Sequence, residues 1–319
     1  MNRVRPATEM DSIGLIGAGA LGSAVARRLT DLNLKVRVFN RSPEKLIPLI
    51  RLGVAPCATA LAATETAAIL LTAVTDSAAL DAVLFGADGA LARRPRRQLT
   101  VIDIGTHAPA QLTALAEKVT GLGMNFVEAP VTGSVHDAVN GTLNFLVGGD
   151  AATVDLVRPF LETMGRNVYH MGPAGAGNTA KLAMNLLVAA MAFGMRESVA
   201  MLQASKLDPA KFFDALAGSG LRSPLYQRIG QRYLDGDFDA RFSLSNLEKD
   251  IASARDRSAE LGCPLPMAAL MASLVKTIDP DIKAKDYSVL LALTGSHFTE
   301  RSKEGESSRN SLARITERR

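Results

Sequence analysis

Gly17-Ala18-Gly19-Ala20-Leu21-Gly22 has the spacing G-x-G-x-x-G, directly after the apolar run Ile13–Ile16 and before a helical stretch from Ala24 to Leu29. A glycine pattern that is weak by itself becomes, between a strand and a helix, a cradle for phosphates. Gly17 allows a tight turn, Gly19 lets a pyrophosphate approach the backbone, and Gly22 lets helix and strand pack closely. The helix N-terminus adds N–H groups and the positive end of its dipole. A second apolar run, Lys35–Phe39, ends at Asn40-Arg41-Ser42, with Asn40 eighteen residues after Gly22. An NAD site places an acidic side chain here for the ribose 2′-hydroxyl. Asn40 has no charge to repel a 2′-phosphate, and Arg41 and Ser42 can bind one. The expected cofactor is NADP rather than NAD, held by Gly17, Ala18, Gly19, Ala20, Leu21, Gly22, Asn40, Arg41 and Ser42.

Lys181 and Asn185 are four positions apart, which sets both on one helix face. Beside a nicotinamide that is cationic when oxidised, in a cleft closed by apolar helices, a lysine holds its proton less tightly than in water. It can give that proton to a carbonyl oxygen as hydride arrives, or take one from an alcohol in the reverse direction. Asn185 offers an amide to orient a substrate's oxygens. Upstream, the Thr132 hydroxyl and the backbone N–H groups of Gly133 and Ser134 suit a small carboxylate. No group of residues has metal-ligand spacing, so no metal is expected.

Positioning these groups takes a scaffold. Ile13–Ile16, Val36–Phe39, Ile69–Leu71, Val101–Ile104 and Phe126–Ala129 are short apolar runs separated by segments of helical spacing. Such alternation predicts βαβ units and a parallel sheet covered by helices on both faces. Leu143–Val147 and Val168–Met171 read as two more strands around a helix near Val154–Met164. Beyond Met171-Gly172-Pro173 the texture changes. Gly175 to about Ser205 reads as one long helix, apolar around most of its circumference, and such a helix must be covered on several sides. Shorter helices follow near Pro209–Ala217, Pro224–Tyr233, Leu244–Leu261, Pro266–Thr277 and Lys285–Leu293. The expectation is an α/β Rossmann-type dinucleotide-binding domain over 12–173, then an all-α domain over 174–298 with a long interdomain helix. The polar, charged segment 299–319 is expected to be disordered.

With 47% hydrophobic residues the chain has ample material for packed cores. Its net charge of +4 does not describe a basic protein, because residues 301–319 contribute +3 of it. Arg93, Arg94, Arg96 and Arg97 cluster around Pro95 in what reads as a solvated turn. No nucleic-acid partner is expected. Cys57 and Cys263 lie far apart and read as two small buried thiols in a reducing compartment. Met1 to Asp11 lacks an apolar secretory core, and the most apolar stretch, Leu182–Met195, is shorter than the roughly 18 residues of a membrane span. A soluble, cytoplasmic protein is expected, with no membrane partner.

Three further segments carry a family resemblance. Glu128-Ala129-Pro130-Val131-Thr132-Gly133-Ser134, followed by Gly141-Thr142-Leu143 and Val147-Gly148-Gly149, resembles the substrate-binding segment of the 3-hydroxyisobutyrate dehydrogenase (β-hydroxyacid dehydrogenase) family. The stretch from Gly175 through Lys181 to Asn185 is similar to that family's catalytic helix, and Leu247-Glu248-Lys249-Asp250-Ile251 to its lysine–aspartate segment. The likeness runs from about Ile13 to Leu293 in order and spacing. It implies Thr106, after the fifth strand, near the nicotinamide ribose, Ala73 and Val74 lining the dinucleotide, and Lys249 reaching the cofactor. It also implies a homodimer or homotetramer formed through the helical domain. His107 reads as structural. Gly105 and Thr132 stand where the family usually has serine, and Ser134 where a second glycine is usual.

The activity implied is NADP-dependent interconversion of a small β-hydroxyacid and its semialdehyde or keto form. Lys181 is the acid and base, and Thr132, Gly133, Ser134 and Asn185 hold a small-molecule carboxylate. Candidate substrates are 3-hydroxyisobutyrate, tartronate semialdehyde, glyoxylate and succinic semialdehyde. An imine reductase of related fold is an alternative, but such enzymes typically carry Asp or Tyr at the Lys181 position. A non-catalytic dinucleotide-binding module is another, and it predicts loss of the lysine and an added reader domain.

Overall fold

The computed structural model describes residues 12–93, 98–293 and 297. Arg94, Arg96 and Arg97 of the basic turn, and the 299–319 tail, lie outside the described residues. Contacts divide the chain into two compact units, separated between Leu182 and Ala183.

The first unit is a twisted sheet of nine strands: β1 Ile13–Ile16, β2 Val36–Phe39, β3 Ala55–Pro56, β4 Ile69–Thr72, β5 Thr100–Asp103, β6 Asn125–Glu128, β7 Val131–Thr132, β8 Leu143–Gly149 and β9 Gly165–Gly172. Its helices are α1 Ala20–Asp31, α2 Ile47–Ile50, α3 Ala60–Thr64, α4 Ser77–Phe85, α5 Pro109–Gly121, α6 Val135–Asn140, α7 Ala151–Leu161 and the start of α8 Ala176–Ala204. The order β3-β2-β1-β4-β5-β6 is parallel throughout and reverses direction between β1 and β4. In a doubly wound sheet that reversal opens a crevice at the carboxyl ends of the two strands.

Both sheet faces are buried. Ile69 and Leu71 of β4 join one apolar cluster with Leu15, Val38 and Ile102, while Leu70 joins the opposite one with Ile16, Val101 and Phe126. That is the period-two alternation of a strand covered by helices on both sides. The sheet is not parallel to its end: β8 runs antiparallel to β6 and β7. Residues 133–142, which join β7 to β8, are fewer than a parallel crossover takes.

The second unit is helical: the remainder of α8, then α9 Pro209–Ala217, α10 Pro224–Asp235, α11 Leu244–Glu260, α12 Pro266–Lys276 and α13 Pro280–Lys283. Its core gathers Ala192, Val199, Leu247, Ile251, Met271 and Leu290. The long helix starts at Ala176, not Gly175, because Gly175 has φ +94°, outside the right-handed helical region. Lys285–Leu293 is not an α-helix. Asp286, buried, turns its carboxylate onto the N–H groups of Arg241, Phe242 and Ser288, and Tyr287–Ala292 tightens into a 3-10 helix.

Two expectations change. The cysteines are free but not buried: Cys57 is half-buried beside the short strand β3, and Cys263 is exposed in the turn after α11. The apolar stretch around Leu182–Met195 belongs to a 29-residue helix that is long and apolar enough to cross a membrane by length and composition. A buried core helix of a folded unit passes the same test, and Ala189, Ala192, Met195 and Val199 are packed inward.

Candidate active site

The loop Gly17–Gly22 lies at the carboxyl end of β1, against the segment that follows β4. Gly17 has φ +103°, and a Cβ there would overlap the Ala73 carbonyl. A Cβ on Gly22 would overlap the Gly17 carbonyl, so both glycines are fixed by packing. Gly19 differs: nothing lies within 4 Å of where its Cβ would be. It is the N-cap of α1, and no side chain caps the helix there. Ala20 is exposed beside it, and Leu21 packs partly against the core. Open space in front of an uncapped helix N-terminus fits a pyrophosphate. These residues therefore fit a dinucleotide.

Asn40, at the end of β2, ties this loop to the next. Its Oδ1 accepts the Ala18 N–H at 2.9 Å, and its Nδ2 donates to the Ser42 carbonyl at 2.9 Å. With both amide ends engaged, Asn40 shapes the turn, and Arg41 is exposed on it. Ser42 is the N-cap of a 3-10 turn, but its hydroxyl makes no capping bond.

Past β4, Ala73 and Val74 are half-buried, and the Ala73 N–H binds the Ile16 carbonyl at 2.8 Å. Past β5, Gly105 is packed between Val74 and His107, where a Cβ would overlap the imidazole. Thr106 is half-buried next to it. The His107 ring is fully buried, with Nε2 3.1 Å from Asp103 Oδ2. The other Asp103 oxygen takes the Thr72 hydroxyl at 2.6 Å. Glu128, at the end of β6, is also fully buried. Burial pushes its carboxyl up, against the pull of Asn178 and the backbone donors at the start of α8.

On α8, Lys181 is half-buried and Asn185 buried one turn later. Within the helical unit, Asn185 Nδ2 donates to Asp250 Oδ2 at 2.5 Å, and Asp250 Oδ1 lies 3.1 Å from the Lys249 ammonium. A carboxylate only accepts, so the amide nitrogen must face it. Asn185 Oδ1 is thus turned away from Asp250. Lys249, expected at the cofactor, pairs with Asp250 and is partly exposed.

Thr132 ends β7, its hydroxyl 3.5 Å from Asn144 Nδ2, and Gly133 is exposed with φ +135°. Ser134 differs from the carboxylate-binding role expected of it. Its N–H and hydroxyl both donate to Asp137 Oδ2, at 2.7 and 2.6 Å, and its hydroxyl accepts the Asp137 N–H. This is a reciprocal capping box at the start of α6, and it consumes the donors. Burial raises the Asp137 carboxyl, but the hydrogen bonds from Ser134 and Thr142 outweigh it and hold it below the usual range. Ser134→Ala is accordingly expected to cost about 1 kcal/mol of stability and to leave substrate KM unchanged. Thermal unfolding and a KM measurement check this; a raised KM without loss of stability would restore Ser134 to the substrate.

Asp250, Glu128 and Asn178 carried no assigned role in the sequence reading. The signal for Asp250 was present: with Leu247, Ile251 and Ala254 it completes an apolar stripe, and an acid in such a stripe needs a partner. Glu128 likewise follows the apolar pair Phe126-Val127 at the end of a buried strand.

Comparison with known proteins accords with this arrangement. A family model for the NAD binding domain of 6-phosphogluconate dehydrogenase matches residues 12–172, and one for the NAD-binding domain of NADP-dependent 3-hydroxyisobutyrate dehydrogenase matches 175–294. The chain is 30% identical over 294 residues to a 3-hydroxyisobutyrate dehydrogenase of Pseudomonas aeruginosa, covering 89% of this chain and 98% of that one. A solved Mycobacterium tuberculosis 3-hydroxyisobutyrate dehydrogenase with L-serine is 26% identical, with TM-score 0.78 and coverage of 89% and 98%. The structure of Psf3 with NADP+ and 2-OPP is 27% identical, with TM-score 0.80 and coverage of 88% and 99%.

Proposed function

The chain belongs to the 3-hydroxyisobutyrate dehydrogenase (β-hydroxyacid dehydrogenase) family, and from that premise we propose that it interconverts a small β-hydroxyacid and its semialdehyde or keto form with NADP. Family membership makes it an NAD(P)-dependent oxidoreductase. The substrate class, the choice of NADP and the roles of individual residues are the proposal.

The observation that carries it is Lys181 followed one helical turn later by an asparagine whose amide is locked by a buried carboxylate. When bound, the dinucleotide supplies or accepts the hydride. Lys181, as a neutral amine, accepts the proton of the substrate hydroxyl; as an ammonium it returns that proton to the carbonyl oxygen. Asn185 Nδ2 carries two hydrogens: one stays on Asp250, which holds the amide against rotation, and the other donates to the substrate oxygen, leaving that hydroxyl's single proton for Lys181. The Thr132 hydroxyl and the Gly133 N–H receive the carboxylate. The extra methyl of threonine, compared with serine, narrows the space for the carbon next to it.

Arg41 and Ser42 take the 2′-phosphate, Gly19 and the first turn of α1 the pyrophosphate. Ala73, Val74 and Thr106 line the remainder of the dinucleotide, and Lys249 adds a cation to it. Psf3, which shares the fold, was solved with NADP+.

Nicotinamide absorbance, followed with small hydroxyacids and semialdehydes and with both dinucleotides, tests the reading. Turnover of at least one carboxylate-bearing alcohol or aldehyde, faster with NADP(H), is expected. Reduction of cyclic imines with no turnover of any hydroxyacid would overturn it.

A further inference from the structure

Glu128, Asn178 and the backbone of His107 are joined by hydrogen bonds inside the first unit. Glu128 Oε1 accepts the Gly177 N–H at 2.9 Å, and Oε2 accepts Asn178 Nδ2 at 2.6 Å. Asn178 Oδ1 in turn accepts the His107 N–H at 2.8 Å. Both side chains are fully buried. Asn178 uses the two ends of its amide in opposite senses, so reversing it would set donor against donor and acceptor against acceptor.

The three segments joined in this way each carry a residue of the proposed reaction. The one after β5 bears Thr106, the one after β6 leads to Thr132, and the first turn of α8 comes just before Lys181. The junction has no slack. A Cβ on Gly148 would overlap the Glu128 carboxylate, and one on Gly177 would overlap the Leu146 carbonyl. The buried His107 ring lies on the other side of its own segment, 3.1 Å from Asp103 Oδ2.

We propose that Asn178 and Glu128 are positioning residues that set the depth and rotation of the first turn of α8, and through it the placement of the Lys181 amine. The proposal rests on the reading of Lys181 as the acid and base.

A reciprocal exchange of the pair tests it. E128Q sets an amide nitrogen against the amide nitrogen of Asn178 or against the Gly177 N–H. N178D sets a carboxylate against Glu128. The double variant E128Q/N178D restores the pairing between the two side chains: the new carboxylate accepts both from the His107 N–H and from the new carboxamide, whose oxygen still accepts the Gly177 N–H. Each single variant is expected to lose at least about fivefold in kcat through misplacement of the reacting group. Substrate KM and dinucleotide Kd should stay within about twofold, and the double variant should regain most of the loss.

Amide hydrogen exchange across residues 177–182 of the ligand-free protein reads the same geometry without the reaction. It should be faster in each single variant and return toward wild type in the double. If the wild type turns over no hydroxyacid while exchange follows this pattern, the positioning stands and the chemistry assigned to Lys181 falls. Single variants that fail to fold while the double folds and turns over also support the pairing. Single variants with wild-type kcat and exchange, or a double variant that stays impaired or unfolded, overturn it.

Discussion

Lys181→Ala is expected to lower kcat by about 10²–10⁴-fold while the dinucleotide affinity stays within about twofold. The asymmetry follows from where the groups stand. The phosphate cradle is built by Gly17, Gly19 and Gly22 with the Ala73 segment, at the ends of β1 and β4. Lys181 is on α8, whereas the contacts that fix Gly17 and Gly22 are with the Ala73 and Gly17 backbone. It is half-buried, so truncation leaves room at the helix surface and no large internal cavity. Lys181→Arg is expected to fail as well, because a guanidinium keeps its proton at any working pH. Single-turnover kinetics and a dinucleotide titration by fluorescence separate the two quantities. Wild-type kcat in the alanine variant would remove the proton transfer from Lys181.

Arg41→Ala is expected to raise the Kd for NADPH about ten- to a hundredfold and that for NADH less than about twofold, the range for one charge-assisted contact to phosphate. Asn40 binds Ala18 and Ser42, which sets the turn but adds no charge, and Arg41 is the cation next in sequence to the position where an NAD site carries an acid. Because Arg41 is exposed, the difference between the cofactors should shrink as salt is added. Equal weakening of both dinucleotides in the variant contradicts the choice of NADP.

The alternating apolar runs located five of the six parallel strands to within one or two residues, because a strand covered on both faces has little choice of composition; β3, two exposed residues at the sheet edge, carries no such run. The glycine loop was equally legible: each glycine has a steric demand of its own, and the structure shows two of these as overlaps and one as open space. Ser134 was misread because its donors were counted as free. Its partner Asp137, three residues later, was visible in the sequence as an S-x-x-D pattern, which opens a helix. The Glu128–Asn178 bridge was out of reach for another reason. Its members are about fifty residues apart, and no periodicity relates two polar side chains that meet only through the fold. The antiparallel turn to β8 was hidden likewise, since both pairings show the same apolar run.

Gly105 and His107 constrain how this sequence can change. A Cβ at 105 would overlap the imidazole, and the imidazole lies beside Asp103 in a space with no exposure. The two positions are therefore coupled: a side chain at 105 requires the imidazole to give way, and the Val74 carbonyl, 2.9 Å from the same point, to shift as well. Of the two orders in which 105 and 107 can be changed, one passes through a clash and the other through a cavity in a fully buried space. Neither single step is neutral, so positions 105 and 107 should be varied together in any library built on this chain, and their measured effects should not add.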